Sequence, residues 1–281
     1  MEFVDFAKKR DVSKTLSDTS RFISQEWKPL LTIVLKFCLV PIILVGLSGT
    51  YNNVYELNRN STDYISSSEM VAFFDDMGDI PYWIDLAMES IAHAFILITI
   101  LAYIKSYTAN NGSIDALEVT KTFKQKTAPY VVLFGLTSVI TFVGYFLFLF
   151  PGIYFGTVFS LVGCLLVFEN KGFLGSVEYS FDFIRGHWWY AFGVFFVINI
   201  VVRIAVAGES IFSDYYGTEG VLDAKNFGLM TMFNDPIYFV LNFLYQIAEM
   251  LLNILSIVAM TLVYFSIRNQ KPLSKTEAEI R

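Results

Sequence analysis

The chain has 281 residues, 55% of them hydrophobic, 17% aromatic and only 16% charged, with a formal net charge of −6. A balance this apolar excludes an ordinary soluble domain, and the acidic excess excludes a basic nucleic-acid-binding surface. With two cysteines, both in apolar runs (Cys38 and Cys164), a disulfide framework is excluded as well.

Crossing the ~30 Å hydrocarbon core takes about 20 mostly apolar residues. The first candidate, Leu30 to Ser48, follows a charged prelude of about 28 residues. That prelude and the full spanning length predict a retained helix, not a cleaved signal peptide. Within the prelude Val12, Leu16, Thr19 and Ile23 share a helical face, the pattern of an amphipathic helix lying in the membrane interface. The second span runs from Tyr82 to Tyr103 after an outer connection of about 33 residues. A second cytoplasmic amphipathic segment then carries Ile114, Leu117 and Phe123 after Ser113 as N-cap. The third and fourth spans, Pro129 to Phe150 and Gly152 to Phe168, are joined by little more than Pro151-Gly152. Proline lacks a donor and suits a first helical turn, so this dipeptide is expected to end one helix and begin the next. Beyond it Gly152, Gly156, Ser160 and Cys164 recur every four residues, a small-residue stripe suited to close packing against Gly135, Ser138 and Gly144 of span three. A third amphipathic segment, with Leu174, Val177, Phe181 and Ile184 in line, leads to the fifth span, Trp188 to Ala207. After about 29 further residues the sixth span, Ile237 to Phe265, leads to a tail at 269–281.

Charge orients these spans. Sixteen of the 20 basic residues lie before span one, between spans two and three, between four and five, or after six. The opposite connections hold Arg59 and Lys225 against 11 acidic residues, from Glu56 to Asp79 and from Glu209 to Asp235. Basic residues are retained on the cytoplasmic side, which puts both termini there. Trp27, Trp83, Trp188 and Trp189 all fall near expected interfaces. The expected architecture is one all-α integral membrane domain: six transmembrane helices as three hairpins, each preceded by a cytoplasmic amphipathic interfacial helix. The repeat units are about 8–105, 113–168 and 172–268. Units of equal orientation are related by an axis along the membrane normal.

The run Phe148-Leu-Phe-Pro-Gly-Ile-Tyr-Phe is followed by Leu-Val-Phe-Glu169-Asn-Lys-Gly and by Ser180-Phe-Asp-Phe-Ile-Arg-Gly-His-Trp-Trp189. Over about 45 residues it resembles a loose superfamily of membrane proteins. That superfamily includes the membrane domain attached to some glycerophosphoryl diester phosphodiesterases and uncharacterised bacterial inner-membrane relatives. The resemblance implies a multi-helix bacterial inner-membrane domain. It does not imply phosphodiesterase activity, which belongs to a separate soluble domain. Glu169 and Ser180 match the recurrent polar positions, at the cytoplasmic edge; Glu169 also reads simply as a helix terminus that orients the next loop.

Ionisable groups at bilayer depth are costly and mark function by default. In span two Asp85, Glu89 and His93 recur every four residues on one face. In span six Asn242, Gln246, Glu249, Asn253 and Ser256 recur at four and three. Span five carries Asn199 and Arg203 one turn apart. One reading is a polar cavity lined by these three spans. There Arg203 pairs with Glu89, Asp85 or Glu249 and serves an anionic head group or a proton cycle. Another is an interhelical network that fixes packing or meets a second subunit. The expected function is non-enzymatic, transporter-like or lipid-handling, with membrane lipids as partners, no cofactor and no nucleic acid. A scaffold subunit of an envelope complex, or a homo-oligomer, is the alternative. A weaker alternative is an intramembrane metalloenzyme built on Glu89 and His93. Sequence signatures of hydrolases and phosphate loops are absent.

Overall fold

The computed structural model describes residues 3–60, 79–169, 171–207 and 236–271. The two long outer connections with Lys225 and most of their acidic residues, and nearly all of the 269–281 tail, lie outside the described residues. Every regular element among those described is an α-helix: α1 (Val12–Asn60), α2 (Ile80–Ala109), α3 (Ala116–Leu147), α4 (Leu149–Phe159), α5 (Val162–Phe168), α6 (Phe173–Ile184), α7 (Trp188–Val206) and α8 (Pro236–Arg268). Six stretches are long and apolar enough to cross a membrane: α1, α2, α3, α4 with α5, α7 and α8. In lipid the backbone has no water to bond to, so continuous helix is the solution such runs adopt.

Burial alternates along these spans. In the most apolar stretch of the second, fourth and sixth, 61% of residues are buried within the protein, against 33%, 22% and 28% in the first, third and fifth. The even spans therefore supply the core, and the odd spans turn most of their apolar surface outward.

The chain forms two compact units: residues 1–37, 94–200 and 254–281, and residues 38–93 and 201–253. The first is held by the fully buried run of α2 through Ile96, Ile98, Ile100, Leu101, Tyr103 and Ile104, together with Leu165 of α5 and Leu262 of α8. An N-terminal hook ahead of α1 is anchored in this unit. Phe6 is 1% exposed and meets the rings of Phe22, Tyr107 and Phe265 edge-on. The Arg10 guanidinium donates to the carbonyl oxygens of Asp5, Phe6 and Lys8, and pairs with Asp18 at 2.9 Å. The backbone N–H of Arg10 donates to the Ser266 hydroxyl of α8 at 2.9 Å.

Several sequence expectations change here. No separate helices end before Pro29 or Pro129: α1 and α3 run unbroken through both prolines. A proline in a helix forfeits one backbone bond, whereas stopping the helix at a membrane boundary would expose several. Only the third segment stands apart, α6 being split from α7 by the turn Arg185–His187, where Gly186 takes the left-handed φ of +79°. Its protein-facing side is Ser176, Ser180, Phe183 and Ile184, while Leu174 is exposed. The N-cap of α3 is Asp115, whose carboxylate accepts from the Leu117 N–H at 2.8 Å, and not Ser113.

The central hairpin turns earlier than expected. A single extended residue, Phe148 (φ −160°, ψ 143°), separates α3 from α4, and Pro151 and Gly152 fall inside the first turn of α4. The missing proline donor is one that a first turn leaves unbonded anyway. Gly152 is nonetheless obligatory by contact: a Cβ there would meet the Tyr145 ring and lie 2.7 Å from the Tyr145 nitrogen. Gly144 crosses it just as closely, its Cβ position being 3.1 Å from Gly152 Cα. Gly156 has ordinary contacts, at 3.6 Å from Thr141 and Tyr145, and around Gly135 nothing lies within 4 Å. The small-residue stripe therefore packs tightly only at its hairpin end.

Candidate functional site

The second unit holds the intramembrane charges. On α2, Asp85 and Glu89 are one turn apart, with His93 one turn further on. Helix α1 supplies a partner that span-by-span reading overlooked: the Ser48 hydroxyl donates to Asp85 at 2.7 Å. The approach of α8 to α1 is set by two glycines. A Cβ at Gly46 would lie 2.6 Å from the Phe243 ring, and one at Gly49 would lie 2.8 Å from the Gln246 amide carbon. Farther along the same pair of helices, the Asn53 side-chain amide donates to Oδ1 of the Asn242 side chain at 3.4 Å. Small residues at a crossing let backbones close up in lipid, and side-chain amides then reach across.

Helix α7 enters through Arg203, which donates to Glu249 of α8 at 3.1 Å. This selects Glu249 among the three carboxylates open to it in sequence. The Arg203 side chain is 76% exposed and that of Glu249 only 26%, so the guanidinium is held at its tip and leaves room for another acceptor. The Tyr245 hydroxyl donates to the Val206 carbonyl oxygen at 2.7 Å, tying the same two helices. Glu89 stands within the electrostatic field of Asp85, Glu249 and Arg203. Its carboxylate takes no hydrogen bond or ion pair among the described residues. It is exposed at the protein surface.

One guanidinium thus pairs with Glu249 and acts at longer range on Glu89, while Asp85 is held by Ser48. Gln246 and Asn253 are half-buried on the same helix as Glu249, and Asn242 is buried. Asn199 is not brought in: it belongs to the first unit, and its amide donates to the Phe195 carbonyl oxygen of its own helix at 2.7 Å. Among the described residues no three His, Cys, Asp or Glu side chains form a group able to hold a metal ion. Asp85, Glu89 and His93 share a helix face without converging as a donor set.

Glu169 and Ser180 have structural partners in the first unit. Glu169 caps α5 and accepts from Arg268 at 2.5 Å and from the Tyr264 hydroxyl at 2.6 Å, fastening α5 to the end of α8. Ser180 is fully buried and returns its hydroxyl to the Val177 carbonyl oxygen at 2.6 Å, presenting a small surface to its neighbours. Sequence reasoning missed Ser48, Asn53, Gly46 and Gly49. A Gly-x-Ser-Gly run with nearby asparagines near the end of span one was the available signal. No family model matches this sequence, and neither the curated proteins nor the solved structures yield a significant match, so the likeness of residues 148–189 to the phosphodiesterase-associated membrane domains rests on its motifs alone.

Proposed function

We propose that this chain is a multi-pass protein of the bacterial cytoplasmic membrane, with both termini inside. It handles a lipid or small amphiphile in a polar intramembrane cavity, without covalent chemistry. The observation that carries this reading is the charge arrangement among the described residues of the second unit: Asp85, Glu89 and Glu249 with the guanidinium of Arg203, which pairs with Glu249 and leaves Glu89 without an ion pair or hydrogen bond. A network built only for packing would pair its charges, because an isolated charge at this depth is expensive. Arg203, bound at one point and otherwise open, takes the anionic part of the cargo as Glu249 gives way, and Glu89 accepts a proton or a positive group in the same cycle. The same reading makes the chain three hairpins led by cytoplasmic interfacial segments; the alternation of buried and outward spans supports it.

Ligand-dependent thermal stabilisation in detergent tests the cavity, using single-chain amphiphiles with phosphate, carboxylate or ammonium heads. At least one head group should raise the melting temperature of the wild type. Glu249→Gln, Arg203→Ala and Glu89→Gln should abolish that rise while retaining a helical circular-dichroism spectrum. Wild-type responses in all three variants would remove the cavity from consideration.

A further inference from the structure

The turn between α6 and α7, and the aromatic rings around it, play no part in the cavity. Trp188 opens α7 and stacks on two rings: Tyr154 of α4 at 6.0 Å and 22°, and Phe192 at 5.0 Å and 4°. Phe192 stacks in turn on Phe196 at 5.6 Å, one helical turn further along the span. Phe181 of α6 joins at 6.4 Å from Tyr154. An aromatic strip therefore runs from the turn along α7, ending on Phe196, itself 52% exposed.

Inside this strip the Trp188 indole nitrogen is buried and has no hydrogen-bond partner. A buried donor without an acceptor is costly, and a tryptophan at a membrane interface normally finds one. Three residues upstream Arg185 is exposed, and its guanidinium makes no ion pair or hydrogen bond among the described residues. Gly186 between them leaves open space, since a Cβ there would meet nothing within 4 Å. A cation without an ion pair, an open turn and an orphan donor fall within four consecutive residues at one end of an apolar strip. That is the chemical outline of a phospholipid, with charged phosphate at one end and acyl chain at the other.

We propose that this turn and strip bind one anionic phospholipid. A phosphate oxygen accepts from the Trp188 N–H and pairs with Arg185, and an acyl chain lies along Trp188, Phe192 and Phe196. Tyr154, 40% exposed, is the ring that moves aside to admit the head group. Guanidinium suits phosphate because its planar donors match two oxygens at once.

Native mass spectrometry of the delipidated full chain, titrated with phosphatidylglycerol, phosphatidylethanolamine or inorganic phosphate, tests this. One phosphatidylglycerol should be retained in preference to phosphatidylethanolamine. Trp188→Phe keeps the stacking and removes the donor, and should weaken retention roughly tenfold. Arg185→Gln should erase the preference between the two lipids. Arg185→Gln lies on an exposed turn and reads the site even if Trp188→Phe folds poorly. Wild-type retention in Trp188→Phe, equal retention of both lipids by the wild type, or displacement of lipid by inorganic phosphate would each overturn the proposal.

Discussion

Two arginines in this chain lead opposite lives. Arg203 holds one partner by its tip and is otherwise exposed, whereas Arg10 is 5% exposed and spends its guanidinium on Asp18 and three carbonyl oxygens. Removing Arg10 leaves three carbonyl oxygens without their donor and Asp18 with Lys14 alone, a loss of about 3 kcal/mol. Arg10→Ala should therefore lower the melting temperature of detergent-solubilised protein by several degrees without altering any response to ligand. An unchanged melting curve would mean that the hook contributes nothing to stability. Arg203→Ala should also lower the melting temperature of the unliganded protein, because it leaves Glu249 without its partner at bilayer depth, but unlike Arg10→Ala it should abolish the response to ligand.

Among the elements, the spans were legible because hydropathy over about 20 residues depends only on composition. The fate of the segments ahead of the spans was not. Apolar periodicity before Pro29 and Pro129 says that a helix forms, but not whether it stops at the proline or carries through into lipid. The charges of the site stood out because Asp85, Glu89 and Glu249 interrupt apolar windows; Ser48 and Asn53 did not, since short polar side chains near a span end look interfacial. The hairpin shows how finely contact overrides pattern. Four residues separate Gly152 from Gly156 on one stripe, yet only Gly152 has a backbone atom in the way of a side chain. Gly152→Ala should force α3 from α4 and destabilise by about 1–3 kcal/mol. Gly156→Ala and Gly135→Ala should stay within about 0.5 kcal/mol of wild type. Thermal unfolding of the three variants side by side checks this, and equal losses at all three sites would remove the hairpin crossing as their explanation.

At the scale of the whole molecule, six helices among the described residues are long and apolar enough to span, and six single crossings put the two ends on the same side. Reporter fusions to the first and last residues should therefore report the same compartment; opposite compartments would mean that one of the six does not cross. The contact between Arg10 and Ser266 also has a temporal side. The two residues are 256 positions apart, and a ribosome adding about 5–20 residues per second needs roughly ten to fifty seconds to make the second after the first. Throughout that interval Phe6 and its neighbours wait without their last ring, Phe265. Docking of the hook against α8 is thus a late event in biogenesis, possible only once that helix has been made, and until then Phe6 has only Phe22 and Tyr107 to pack against.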